Sequence, residues 1–302
     1  MNILITGGSG LIGTKLTEIL LATGHSVSHL SRSKQASTKV KTYLWDIAQG
    51  KIDDQALLTA DCIVHLAGAG IADGNWTKAR KKEIIDSRTQ SLSLIAKRLG
   101  QLNHSVKTLV SSSAIGYYGG DTGDVEQDEN SKAGDDFLAE TCVAWEAATK
   151  PIADMGIRTV ILRTGIVISK LGGALPKLAA PVKLGLGAAL ASGQQWQSWI
   201  HLNDMAAMFK KACEDSSMQG IYNGVAPNPV SNETMTFFAA KALNRPFILP
   251  NVPAFVLKVL FGEMSIVVIG GSYIQNHRIA TETNFEYQFP EIKEALVAEL
   301  SS

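Results

Sequence analysis

Three glycines near the start of the chain have the spacing of a phosphate-binding loop. Gly7, Gly10 and Gly13 follow an apolar run at residues 3–6 and precede apolar residues at helical spacing. In such a loop the first glycine permits a tight turn, the second lets the backbone approach a pyrophosphate, and the third lets the helix pack on the sheet. Free N–H groups at the helix start would donate to the phosphate oxygens. The predicted dinucleotide contacts of this loop are Gly7, Gly10, Leu11, Ile12 and Gly13.

The end of the second predicted strand distinguishes between two dinucleotides. An acidic side chain there would bind the ribose 2′-hydroxyl of NAD, but residues 29–34 read HLSRSK and contain no acid. Arg32 and Lys34 could instead hold a 2′-phosphate by charge-assisted hydrogen bonds. We therefore predict a preference for NADP, with NAD possible. The alternative is that Arg32 is an ordinary solvated charge.

Strands and helices alternate over the first two-thirds of the chain, which predicts crossover connections and a parallel sheet. The predicted strands are residues 3–6, 26–31, 62–67, 107–112 and 158–162. The predicted helices between them are residues 11–23, 77–99 and 135–155. The fold class is α/β, a doubly wound Rossmann sheet with a smaller mixed C-terminal lobe. The predicted extents are 1–170 for the dinucleotide domain, with its sheet completed by about 198–225, and 171–197 with 226–302 for the substrate lobe.

The bulk composition favours a small-molecule partner. The 302 residues include 28 Lys and Arg against 28 Asp and Glu, so no net charge attracts nucleic acid or a membrane surface. The three cysteines lie far apart without a CxxC pair, which argues against disulfides or structural zinc and fits a cytoplasmic location. No stretch has the roughly 20 uncharged apolar residues of a membrane span. We assign no metal, because His25 and His29 fall in a strand rather than on one helical face.

Further motifs follow the glycine loop in order. Asp46 comes after a third strand, HLAG covers residues 65–68, and SSSAIGYYG covers residues 111–119. On these motifs the chain resembles the extended short-chain dehydrogenases/reductases, in their NAD-dependent epimerase/dehydratase group, over nearly its full length. Segments such as FLAETCVAWE, SWIHLND and LPNVPAFVLKVLFGEMS are similar to a bacterial branch with a short C-terminal domain of unknown function.

The resemblance implies the surroundings of the cofactor. Asp46 and Ile47 would lie by the adenine, and the segment from Arg163 and Thr164 to Val167 would run beside the nicotinamide. Ser87 stands where the family has an asparagine, which is a departure from the pattern. The residues that would line the cofactor ribose and pyrophosphate are Leu66, Ala67 and Gly68.

The sequence also departs from the family at its catalytic pair. In the family's Tyr-x-x-x-Lys motif both side chains share one helix face, where the ammonium lowers the pKa of the phenol. None of the six tyrosines has a lysine four positions on. On the matching helix Phe137 or Leu138 replaces the tyrosine, and Thr141 or Cys142 replaces the lysine. Cys142 itself is predicted to be a buried small hydrophobe.

Two other residues are candidates for catalysis. Ser113 matches the family serine or threonine that hydrogen-bonds a substrate carbonyl or hydroxyl, and Tyr118 could place a phenol in the cleft. The alternatives are a plain strand-end hydroxyl for Ser113 and packing for both Tyr117 and Tyr118. Dehydratases of the group carry an Asp-Glu pair after this serine, and AI at residues 114–115 disfavours sugar-nucleotide dehydration.

The second lobe offers a possible substrate surface. Trp196 and Trp199 could stack on a flat substrate, and Lys183 could meet an anionic group. The alternative is a hydrophobic clasp between the lobes, in which Asp204 caps a helix through its free N–H groups.

Two functions are consistent with these features. The first is an NADP-dependent oxidoreductase or epimerase acting on a small carbonyl or alcohol, with Ser113 and Tyr118 polarising the substrate oxygen. The second is a non-catalytic NAD(P)-binding sensor or scaffold, which the missing Tyr/Lys pair favours. A homodimer through the apolar region 255–269 is compatible with either.

Overall fold

The computed structural model describes residues 1–33 and 40–301, so Lys34 lies outside the described residues. The strands are β1 (Asn2–Thr6), β2 (Ser26–Ser31), β3 (Lys41–Asp46), β4 (Lys51–Ile52), β5 (Cys62–His65), β6 (Thr108–Ala114), β7 (Gly123–Gln127), β8 (Arg158–Thr164), β9 (Ile166–Ile168), β10 (Trp196–Gln197), β11 (Trp199–His201), β12 (Gly220–Gly224), β13 (Val230–Ser231) and β14 (Ser272–Ile274). The helices are α1 (Leu11–Ala22), α2 (Asp54–Leu58), α3 (Lys78–Leu99), α4 (Phe137–Ala147), α5 (Lys150–Ala153), α6 (Ala174–Lys183), α7 (Leu202–Glu214), α8 (Asn232–Ala242), α9 (Ala254–Phe261), α10 (Ile266–Ile269), α11 (His277–Glu282) and α12 (Ile292–Leu300). Short 3₁₀ turns lie at Ile115–Tyr118 and Gly262–Ser265.

Eight strands form the central sheet in the order β12-β8-β6-β5-β1-β2-β3-β4. Every neighbouring pair is parallel except β3 with β4 at one edge. From β1 the chain builds outward to β2 and β3 and then returns to build β5, β6, β8 and β12 on the other side. The predicted doubly wound α/β fold is confirmed. Its strand order reverses beside β1, which is where such sheets open a ligand crevice at their carboxyl ends.

Alternation along the strands produces two apolar layers. Ile3 and Ile5 face a layer that α1 and α7 cover, whereas Leu4 faces the opposite layer, which includes side chains of α2 and α3. Side chains that alternate between faces require a helical layer on each side of the sheet. The two layers hold the carboxyl ends of the central strands in fixed positions.

One predicted helix is two helices in the structure. The helical pattern at 135–155 divides into α4, which ends at Ala147, and α5, which begins at Lys150 with Pro151 in its first turn. Proline has no N–H to donate and its ring crowds the preceding turn, so α4 cannot continue through it.

The remaining chain forms a further apolar cluster and three two-stranded sheets, β10 with β13, β11 with β9, and β14 with β7. Trp199, Met235 and Leu296 lie in that cluster. Helix α9 leaves much of its apolar surface exposed, with Phe255 69% and Val259 83% exposed. No helix within the described ranges is both long and apolar enough to cross a bilayer. The homodimer stays a prediction.

His65, at the end of β5, is fully buried. Its Nε2 lies 2.7 Å from Ser91 Oγ, and Trp145 Nε1 donates to its Nδ1 at 3.5 Å. Burial, and then the charge of Arg88, lower the pKa of His65 to about 3. The imidazole is therefore neutral in the folded chain near neutral pH.

The depressed pKa of His65 predicts a loss of stability on acidification. Its contribution is complete above the ordinary value of 6.5 and is lost as pH falls toward 3, because the unfolded chain takes up the proton first. Between pH 7 and pH 5 we expect the free energy of unfolding to fall by about 2 kcal/mol more in the wild type than in His65→Gln. Urea unfolding at both pH values measures the difference, and equal losses in the two proteins would contradict it.

Candidate functional site

The loop between β1 and α1 has no room for side chains at Gly7 and Gly13. Gly7 has φ +70°, and a Cβ there would lie 2.9 Å from the carbonyl carbon of Leu66. A Cβ on Gly13 would overlap the carbonyl oxygen of Gly7. Gly10 is the N-cap, and no described side chain caps the helix. The N–H groups of the first turn have no intrahelical acceptor, so the residues present fit an anion such as a pyrophosphate.

A large cavity lies at the carboxyl ends of β2 and β3; we call it the β3 cavity. It measures about 990 Å³. The structure brings together here Arg32, Asp46 and Ile47, which were predicted to lie near the cofactor, and Ser87, which stands at the position of the family asparagine. Asp46 also accepts the N–H of Gln49 at 3.0 Å, which holds the turn after β3.

The segment that follows β5 packs against the glycine loop. The N–H groups of Leu66 and Ala67 both lie 3.2 Å from Thr6 Oγ1, so this segment leaves the sheet after His65, two residues earlier than predicted. Gly68 lies beneath Arg88, since a Cβ there would be 3.1 Å from the guanidinium carbon. The segment is thus held between the loop and α3.

A smaller cavity, the β6/β8 cavity, lies at the carboxyl ends of β6 and β8 and measures about 230 Å³. Leu138 and Cys142, one helical turn apart on α4, both line it. These are two of the positions where the resemblance expects the tyrosine and lysine. Burial raises the pKa of the Cys142 thiol to about 12, so the thiol stays protonated and acts as an apolar wall, as predicted. The residues that complete the wall include Arg88, Ala114, Thr141, Trp145, Thr164, Trp196, Ile266 and Ser272.

Behind this cavity a buried network joins five side chains. Arg163 donates through Nε to Glu146 Oε1 at 2.8 Å and through Nη2 to Glu146 Oε2 at 2.9 Å. Ser113 Oγ donates to Glu146 Oε1 at 2.7 Å. Arg163 Nη1 donates to Tyr118 Oη at 2.9 Å, and Tyr118 Oη donates to Asn223 Oδ1 at 2.7 Å. Burial alone would lower the pKa of Arg163, but the hydrogen bonds and charge of Glu146 raise it above the ordinary value.

The network gives Ser113, Tyr118 and Arg163 hydrogen-bond partners within the protein, and the roles expected for them stay predictions. The hydroxyl protons of Ser113 and Tyr118 are donated inside the network, and burial raises the pKa of Tyr118 to about 12. Neither residue is among the described residues that line the β6/β8 cavity, so this arrangement does not support their polarising a substrate oxygen. The side chain of Arg163 is 1% exposed and points to Glu146, so Thr164, and not Arg163, is the one that lines the cavity. Tyr117 packs with its ring centre 3.3 Å from the Arg163 guanidinium.

The two tryptophans of the second lobe have different roles. Trp199 is buried and donates to the carbonyl oxygen of Asn228 at 3.0 Å. This arrangement fits the alternative of a clasp between the lobes. Trp196 lines the β6/β8 cavity and donates to Asp124 Oδ1 at 2.8 Å.

The expected helix cap at Asp204 is wrong. His201 caps α7, since its Nδ1 accepts the N–H of Asn203 at 3.1 Å. Asp204 instead accepts the N–H groups of Gln288 at 2.7 Å and Phe289 at 3.0 Å, and so holds the C-terminal segment.

Sequence reasoning did not identify Arg88 or Glu146. Arg88 lies on the mostly polar helix α3, and Glu146 follows Trp145 near the end of α4. The available signal for Glu146 was Arg163 itself. It is a charge that directly follows three buried apolar residues of β8, and a buried charge needs a partner. Residues 1–33 and 40–301 contain no group of three or more His, Cys, Asp or Glu that could hold a metal ion.

Known proteins are similar to this chain in sequence and in fold. The model of the NAD dependent epimerase/dehydratase family matches residues 3–223, and a domain of unknown function, DUF1731, matches residues 252–299. Epimerase family protein YfhF of Bacillus subtilis (strain 168) is 34% identical over 297 residues, 98% of this chain and 97% of that protein. The crystal structure of human epimerase family protein SDR39U1 (isoform 2) with NADPH is 32% identical, with a TM-score of 0.88 over 99% of each chain. UDP-glucose 4-epimerase of Thermotoga maritima, solved with UDP-glucose, shares the fold at 15% identity, with a TM-score of 0.79 over 99% of this chain and 97% of that one.

The network predicts unequal costs for two substitutions. Glu146→Ala leaves the buried Arg163 guanidinium without its carboxylate, and we expect a loss of about 3–5 kcal/mol of folding free energy. Ser113→Ala removes one hydrogen bond and keeps the ion pair, for a loss of about 1 kcal/mol. Chemical denaturation of both variants measures the losses. A Ser113→Ala loss as large as that of Glu146→Ala would contradict the assignment of Arg163 as the main partner.

Proposed function

The chain belongs to the NAD dependent epimerase/dehydratase family, as its motifs predicted, and from that we propose an NADP-dependent oxidoreductase or epimerase-like enzyme that acts on a small carbonyl or alcohol. The observation that carries this proposal is a small apolar cavity at the ends of β6 and β8, on the same sheet edge as the glycine loop. A substrate there would lie beside Thr164, where the resemblance implies a nicotinamide.

The cofactor would lie along the carboxyl edge of the sheet. In the strand order, the glycine loop at β1 stands between the β3 cavity and the β6/β8 cavity. Four strand spacings separate β3 from β6, or roughly 19 Å, which an extended dinucleotide can bridge. The glycine loop would hold the pyrophosphate, and the β3 cavity would hold the adenosine. The residues proposed to line the path are Gly7, Gly10, Leu11, Ile12, Gly13, Asp46, Ile47, Leu66, Ala67, Gly68 and Thr164.

The preference for NADP rests on Arg32. Arg32 is exposed and lines the β3 cavity. The segment at the end of β2 contains no acidic residue that would bind a ribose 2′-hydroxyl instead. The human relative solved with NADPH supports the same choice. When bound, NADPH would supply a hydride to a carbonyl carbon while water supplies the proton of the new hydroxyl, or NADP would accept a hydride from an alcohol whose proton passes to water. The protein's part would be to orient the substrate.

The shape of the β6/β8 cavity favours a small substrate. At about 230 Å³ it lies below the usual range of roughly 300–1,000 Å³ for ligand pockets, and a nucleotide sugar would need more. Leu138, Cys142 and Ile266 give it apolar walls. Such walls strengthen electrostatic interactions with a reacting oxygen because they keep water away. The role proposed for the buried network is to hold β8 against α4 behind the site. It includes Ser113, Tyr118 and Arg163.

A sensor or scaffold is the second candidate. The described residues that line the β6/β8 cavity include no Tyr, Lys, His, Asp or Glu, the usual general acids and bases. A protein that binds the dinucleotide without turnover would need none of them.

Replacement of Gly13 tests the proposal. We expect the wild type to bind NADPH and to oxidise it with some member of a panel of small ketones and aldehydes. Gly13→Ala forces α1 away from Gly7, and we expect at least a tenfold loss of NADPH affinity together with loss of turnover. Fluorescence titration and the decrease in NADPH absorbance are the measurements.

Gly100→Ala is the matched control. It lies at the C-cap of α3, where a Cβ would meet its nearest atom at an ordinary 3.5 Å, and both activities should survive. NADPH binding with no turnover on any carbonyl would select the sensor. Absence of NADPH and NADH binding in the wild type would refute both functions.

Replacement of Arg32 tests the cofactor preference. Arg32→Ala should weaken NADPH binding by about tenfold or more and leave NADH binding unchanged, because a charge-assisted hydrogen bond is worth about 1.5–3 kcal/mol. Arg245→Ala, which removes an exposed arginine of the other lobe, should change neither affinity. Equal weakening of both dinucleotides by Arg32→Ala would show that Arg32 does not read the 2′-phosphate.

A further inference from the structure

We propose that the substrate of the β6/β8 cavity is a carbonyl or hydroxy compound that also carries a carboxylate, and that Arg88 binds this carboxylate. The inference rests on the proposed function, because it names the substrate class of the same site. Three observations support it: Arg88 lies at the cavity wall, its guanidinium has no carboxylate partner among the described residues, and the rest of the wall is mostly apolar.

Arg88 lines the cavity from α3, opposite the family's catalytic helix. Its guanidinium carbon lies 4.8 Å from the ring centre of Trp145, another wall residue. Gly68 provides the space for it, since a Cβ there would come within 3.2 Å of the side chain. The head group is thus held between the segment after β5 and α4, at the wall of the cavity.

The hydrogen bonds of Arg88 are incomplete. Nη1 donates to the carbonyl oxygens of Ala69 at 3.0 Å and Ile84 at 2.8 Å. Nε is buried and has no partner among the described residues. No described carboxylate lies within 4.0 Å of Arg88, although Arg163, Arg98 and Arg278 each have one. Burial lowers the pKa of Arg88, and the charge of Arg80 adds to this effect.

An unpaired, largely buried cation is costly, and an anionic ligand would offset that cost. Guanidinium stays charged at neutral pH and can bind the two oxygens of a carboxylate side by side. Cys142 is the other ionisable side chain among the described wall residues, and its thiol is neutral. The cavity therefore presents one positive charge within apolar walls. That combination matches a small carbonyl acid with an apolar remainder.

The test compares two probes, benzoylformate and its methyl ester, which share the phenyl and keto groups while only the acid carries a negative charge. Calorimetric titration of the wild type, without cofactor and again with NADP, should show the acid binding at least tenfold more tightly than the ester. Equal affinity of the two probes would overturn the inference. This comparison needs no variant, so it does not depend on the folding of one.

Variants of Arg88 then assign the preference to its charge. Arg88→Met should abolish the preference for the acid, and Arg88→Lys should keep part of it, while both keep the wild-type affinity for NADPH. Arg98→Gln, on the same helix and paired with Asp54 away from the cavity, should bind both probes as the wild type does. Circular dichroism confirms folding of each variant.

Two results separate the inference from the proposed function. If Arg88→Met weakens NADPH binding and leaves the preference for the acid intact, the cation serves the cofactor and the inference fails. If the wild type prefers the acid but binds neither dinucleotide, the carboxylate site stands and the proposed function fails.

Discussion

The ion pair between Arg163 and Glu146 is the contact on which the geometry of the site depends. Two buried charges remain paired only where nearly every donor and acceptor around them is satisfied. Ser113 on β6, Tyr118 in the following turn and Asn223 on β12 meet that demand. The same pair ties β8 to α4 and so sets where Leu138 and Cys142, earlier on α4, stand over the carboxyl ends of the strands. The Arg163–Glu146 pair does not itself line the β6/β8 cavity, but it thereby determines the shape of that cavity.

The parts that could be predicted from sequence are those whose causes are local. Gly13 meets Gly7 six residues away, and the strand that precedes them is a continuous apolar run, as expected for a strand with a helical layer on each face. Strand positions, the parallel sheet and the dinucleotide loop follow from such short-range rules. The break between α4 and α5 was equally local, and Pro151 was the signal for it.

The rest depends on partners that sequence spacing does not reveal. Ser113 donates to a residue 33 positions away, and Tyr118 donates to one 105 positions away, so neither proton could be traced in advance. The family resemblance put both residues in the network behind the β6/β8 cavity, and their hydrogen bonds do not support the role it implies, which stays a prediction. Asp204 also has a distant partner. Because His201 caps α7, Asp204 in the first turn of that helix binds the backbone of the C-terminal segment instead.

The C-terminal segment is part of the wall and not an appendage. Ile266, Gly270 and Ser272 line the β6/β8 cavity, and β14 pairs with β7 beside it. A different side chain at Ile266 would alter the space offered to a substrate while the loop at Gly7 kept its contacts. Under the proposed function, substitutions near Ile266 would therefore change the choice of substrate without changing the choice of dinucleotide.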